Sequence, residues 1–69
     1  MTGEQERRPW VGDLVHDEDA DRRGIVADVR GGATWVLRPE YGPDRWISQR
    51  PDRLRVMKTR EERLRDRSA

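Results

Sequence analysis

Glycine and proline cut the middle of this chain so often that no helix of useful length fits between Trp10 and Met57. Gly24, the Gly31-Gly32 pair, Pro39, the Gly42-Pro43 pair and Pro51 are the cuts, and only short segments lie between them. Residues 10–16 are apolar-rich and read as a first strand, and the polar run 17–24 reads as a loop. Ile25, Ala27 and Val29 then alternate with Val26, Asp28 and Arg30, the period of two that a half-buried strand requires. Gly31-Gly32 is a hairpin signal, because both residues can take positive φ. Residues 34–38 are β-branched and aromatic, and Pro39, lacking an N–H, ends that strand. Residues 39–44 form a turn cluster, 45–48 a fourth strand, 49–52 a tight turn and 54–56 a fifth strand. Short strands between closely spaced turn signals predict an all-β domain.

The two ends differ from this middle. Residues 1–9 have no apolar period and read as a flexible arm, leaving 10–57 as the domain and 58–69 as a charged helix or tail. Thr59 and Glu62 have capping-box spacing, and Glu61 and Arg65 stand four apart in the favourable order. Met57, Leu64 and Ala69 are all the apolar surface this helix offers, so the expectation is a short, fraying helix. The chain has 69 residues, no cysteine and a single histidine, His16. Disulfide and Cys/His zinc staples are thereby excluded, in a domain of a size that buries only about 60% of its unfolded surface. With no apolar run near the length of a membrane span and no apolar signal core, the expected location is the cytoplasm.

Gly12-Asp13-Leu14-Val15, followed by Gly24-Ile25-Val26, resembles the KOW motif of ribosomal and transcription proteins. The resemblance covers about twenty residues and implies a five-stranded SH3-like barrel with a short C-terminal helix. It also implies RNA binding through basic loop residues. Here the corresponding loop carries Asp17, Glu18, Asp19 and Asp21 against Arg22 and Arg23, and like charge repels a phosphate chain. Continuing through Val36-Leu37-Arg38-Pro39 to Trp46, the pattern is also similar to small SH3-like proteins of actinomycetes. That likeness agrees with a basic complement that is arginine except for Lys58, and it implies no function.

Asp17, Asp19, Asp21 and Asp28 copy positions 1, 3, 5 and 12 of a calcium loop, but Arg22 stands where the sharp turn needs glycine. The expectation is a solvated acidic hairpin tip, with no metal and no cofactor. The only serines are Ser48 and Ser68, and neither a nucleophile elbow nor a phosphate loop is present, so no enzyme is expected. Without phenylalanine, tryptophan must fill the core, and Trp35 and Trp46 are the natural fillers. Trp10 and Tyr41, with Arg38 and Arg45, are the partner-binding candidates. The net charge of +1 hides a segregation: residues 10–30 carry a balance of −3 and residues 51–69 a balance of +3. Arg53, Arg55 and Lys58 are therefore the nucleic-acid candidates, although a salt-bridged solvated surface accounts for the same residues. The expected role is a non-catalytic interaction module that binds a protein or a second copy of itself. The alternative is weak nucleic-acid binding through the basic last strand and tail.

Overall fold

The computed structural model describes residues 8–68, in which four strands run as an antiparallel meander and a fifth returns to pair with the first. The strands are β1 (Leu14–Asp17), β2 (Arg22–Arg30), β3 (Thr34–Arg38), β4 (Trp46–Ser48) and β5 (Leu54–Lys58). A one-turn 3-10 helix, Pro51–Arg53, precedes β5, and helix α1 (Arg60–Ser68) follows it. The single sheet has the order β4-β3-β2-β1-β5, so the chain is all-β with one short helix. It does not close into the expected barrel. β4 is only three residues long, and Pro51 opens the 3-10 turn before β4 and β5 can run side by side. Both remain edge strands among the described residues.

Turn chemistry sets the register at the β2–β3 hairpin. Gly31 and Gly32 take φ of 60° and 65°, and the Ala33 amide donates to the Arg30 carbonyl at 3.1 Å. Two successive positive φ values give the turn whose twist matches the flanking strands. The expected alternation in β2 fails at Ala27, where a register shift relative to β3 separates Val26 from Asp28. An extra residue there changes the phase of the strand. Val26 and Val29 consequently pack in the central cluster, while Ile25, itself buried at 5% exposure, and the exposed Asp28 lie on the opposite face of the sheet. β1 is also shorter than expected at its start, because residues 10–13 make a turn. β2 begins earlier than expected, at Arg22.

Val15, Val26, Trp35, Leu37 and Leu54 form the core, with Val29, Trp46 and Val56 packed against it. Trp35 fills the core as expected and donates its indole N–H to the Pro9 carbonyl at 3.0 Å. Pro9 is buried, so the chain is tied down at the second described residue; residues 1–7 of the expected arm lie outside the described residues, as does Ala69.

Helix α1 is held by a buried acid. The Asp13 carboxylate, 3% exposed, accepts the Trp10 amide at 3.0 Å and the Arg60 amide at 2.9 Å. It thus closes the entry turn and caps the first turn of the helix, where an anion is favoured. The expected capping box is present, with Thr59 N–H to Glu62 Oε1 at 2.8 Å and Glu62 N–H to Thr59 Oγ1 at 3.2 Å. Arg63 adds a hydrogen bond to the Gly12 carbonyl. A helix with little apolar surface is docked by polar contacts. Among the described residues no helix is long and apolar enough to cross a membrane.

Gly24 lies where the sheet is most crowded. A Cβ there would come within 2.5 Å of Trp46 Cη2 and 2.7 Å of the Arg38 carbonyl oxygen. Backbone cannot yield as a flexible side chain does, so Gly24→Ala is expected to destabilise the chain by about 1–3 kcal/mol. Urea unfolding followed by tryptophan fluorescence measures this, and an unchanged midpoint would contradict the packing described.

Candidate functional site

The β1–β2 turn, the 3-10 turn and β4 meet at one end of the sheet. Asp17 ends β1 with its side chain 2% exposed. One carboxylate oxygen accepts the Asp19 and Ala20 amides at 3.0 and 3.3 Å, which shapes the turn. The other accepts the Trp46 indole N–H at 3.0 Å. β1 and β4 are three places apart in the sheet, about 14 Å if it were flat, so this contact exists only because the sheet curls. Arg22, paired with Asp17 across the hairpin, puts its guanidinium 3.9 Å from the Trp46 ring centroid. Trp46 is therefore half-buried between the core and a charged cap, and an open cleft of about 320 Å³ separates it and Ser48 from Asp19 and Ala20.

The segregated charges of the sequence meet across this end. Glu18 receives Arg55 at 3.0 Å from Nε and 2.5 Å from Nη2, and Arg53 stands 3.3 Å away. Asp19 pairs with Arg53 at 3.1 Å and with Arg50 at 3.7 Å. The Glu18 amide donates to the Arg53 carbonyl at 2.9 Å, so backbone and side chains fasten the same corner. Arg53 lies in the 3-10 turn rather than on the last strand. Lys58 is bonded to Asp66 of α1. All three nucleic-acid candidates, Arg53, Arg55 and Lys58, thus have carboxylate partners within the chain. The Arg55 hydrogen bond holds the Glu18 carboxyl below its ordinary value of 4.5, aided by the charges of Arg55, Arg53 and His16 and opposed by partial desolvation. The Asp66 hydrogen bond raises Lys58 above 10.5.

The structure scatters the calcium pattern. Asp17 is committed to Trp46 and the turn amides and Asp19 to Arg53 and Arg50. Asp21 stands 3.4 Å from His16, and Asp28 bonds Arg30 and the Val29 amide. Among the described residues, no three acidic, His or Cys groups are placed to share a metal ion.

The partner-binding candidates are not brought together as one cluster. Tyr41 is 89% exposed in the β3–β4 loop, and Arg45 is exposed at the end of that loop. Trp10 is 61% exposed at the turn that Asp13 closes. Arg38 lies on the outer face, in a row with Ile25, Leu14 and Lys58 across four neighbouring strands. Beside that row, a second open cleft of about 300 Å³ is lined by Leu14, Arg23, Glu40, Lys58, Arg63, Asp66 and Arg67. Ile47, on edge strand β4, is 60% exposed and pairs with the buried Val36. Its exposure was not foreseen, since alternation alone does not say that a strand has no outer neighbour.

Comparison with family models, with curated protein sequences and with solved structures finds no match to this chain.

The lowered Glu18 carboxyl has a consequence for stability. A group with a depressed folded-state pKa contributes fully above its unfolded value, and the contribution is lost as pH falls through the folded value. Glu18→Gln is therefore expected to lower the melting temperature at pH 7, with the difference shrinking steadily below about pH 4.5. Thermal melts of both proteins between about pH 3 and pH 8 test this; a difference that grows in acid would contradict it.

Proposed function

We propose that the chain is a non-catalytic protein-interaction module on an SH3-like plan. Three features support the plan: the return of β5 to pair with β1, the one-turn 3-10 helix before β5, and the curl that brings Trp46 onto Asp17. The observation that carries the protein-binding reading is the distribution of free and committed surface. Arg53, Arg55 and Lys58 are occupied by Glu18, Asp19 and Asp66. Tyr41, Trp10 and Ile47 present aromatic and apolar area to solvent. A phosphate chain would have to displace internal carboxylates, whereas a protein surface can bury the exposed aromatics directly.

A second reading, weak nucleic-acid binding of the KOW-like kind, draws on the cleft beside α1. Its lining has four cations, Arg23, Lys58, Arg63 and Arg67, against Glu40 and Asp66, and Arg38 extends the row on the outer face.

A photo-crosslinking residue at position 41, introduced in the full chain in its native cells, is expected to capture a discrete protein. Capture should fall at least about fivefold when Trp10 is changed to Ala if the two aromatics serve one partner. NMR titration with mixed single- and double-stranded DNA and RNA at about 50 mM salt is expected to give no saturable shifts. Saturable binding that weakens steeply with salt and is lost in Arg23→Ala or Arg67→Ala would overturn the first reading in favour of the second.

A further inference from the structure

The open edge of β4 is complementary to itself. Strand Trp46–Ser48 has β3 on one side and no strand on the other among the described residues. Its central residue, Ile47, is 60% exposed on the outer face, next to the buried Val36 in register. Asp44 and Arg45 stand before the strand, and Gln49 and Arg50 stand after it. When two copies of such a segment pair antiparallel about a two-fold axis at the middle residue, each position meets the one equally far on the other side.

With the axis at Ile47, Ile47 faces its own counterpart, extending the Val36–Ile47 row into an apolar strip shared by the two sheets. Within the strand, Trp46 faces Ser48. Beyond it the chain bends at Gln49, so the Asp44–Arg45 end of one copy meets the Gln49–Arg50 end of the other, and the symmetry brings Asp44 near Arg50 twice. Asp44 has no ion-pair partner within the described chain, and the Arg50 contact to Asp19 is long, at 3.7 Å. Its guanidinium is 62% exposed and therefore accessible to a second acid. Within the strand apolar meets apolar and small meets large, and at each end the unpaired Asp44 of one copy approaches the exposed Arg50 of the other.

We infer that the chain forms a two-fold dimer through β4, joining two five-stranded sheets into one. This deepens the interaction-module reading by naming one partner, a second copy. It uses a surface separate from Tyr41 and Trp10. A single short strand from each copy buries less than the roughly 1,200 Å² of standard stable complexes, so the dimer is weak, with a dissociation constant on the order of 100 µM.

Sedimentation equilibrium of the full chain from about 10 µM to 2 mM is expected to show a monomer–dimer equilibrium with no larger species. Ile47→Lys is expected to stay monomeric throughout, and because Ile47 is exposed the variant should keep its fold, checked by its NMR spectrum. Asp44→Arg should weaken the dimer at least about tenfold, and adding Arg50→Asp should restore most of that loss. The chain has no cysteine, so Ile47→Cys offers a single thiol that mild oxidation should link to its counterpart, whereas Tyr41→Cys should link far more slowly. A chain monomeric at 2 mM overturns the dimer, as does association that ignores Ile47→Lys or the charge exchange. Growth into longer assemblies also overturns it, since β4-to-β5 pairing repeats without closing. If the dimer fails while capture at position 41 persists, the interaction-module reading stands without it. Loss of capture with an intact dimer removes the other surface instead.

Discussion

The Asp17 carboxylate lies beneath the hairpin tip with both oxygens occupied, one by the turn's own amides and one by an indole from three strands away. A buried charge is costly unless donors surround it. Those donors are available here only if the β1–β2 turn is tight and the sheet curls far enough to deliver Trp46. The same bond therefore fixes the turn and the curvature together, and it substitutes for the backbone ladder that a closed barrel would have between its edges. Gly24 makes room for the arriving indole, and Arg22 covers its outer face.

That curvature determines which charges meet. Once β4 and the 3-10 turn are drawn toward the hairpin tip, Glu18 and Asp19 face Arg50, Arg53 and Arg55, and the sequence's opposing charge blocks neutralise one another. Individual surface pairs contribute little, but several sharing one corner, with the Glu18–Arg53 backbone bond among them, hold it in one geometry. Asp13 acts similarly at the other end, joining the entry turn to α1. Two buried acids thus anchor elements that a small apolar core alone would leave loose, and Tyr41, Trp10 and the β4 edge stay exposed.

Much of this fold was legible because it depends on local chemistry. β3 runs from Thr34 to Arg38 as its β-branched residues and Pro39 predict, the Gly31-Gly32 turn has the positive φ values that its glycines permit, and the Thr59–Glu62 box forms. Legibility ended where residues distant in sequence decide the outcome. The bulge at Ala27 shifts the phase of β2 so that Val26 and Val29 face the core together, although the alternation looked regular. Asp17 read as part of a solvated acidic tip because its partner, Trp46, lies 29 residues further along. The charge segregation was visible, but its resolution into internal ion pairs was not, since composition says nothing about which blocks the sheet brings together. Of the candidate site residues, Tyr41 and Trp10 are exposed, whereas Arg53, Arg55 and Lys58 are committed to the chain itself.

The dependence of the fold on the Asp17–Trp46 bond is most directly tested by a double-mutant cycle. Asp17→Ala, Trp46→Phe and the double variant are compared with the parent by urea unfolding; Phe keeps most of the ring that packs on the core and under Arg22 while removing the N–H. A hydrogen bond to a buried carboxylate predicts a coupling energy of about 1.5–3 kcal/mol between the two sites. Additivity within about 0.5 kcal/mol would contradict the account, because the curl of the sheet would then not rest on that bond.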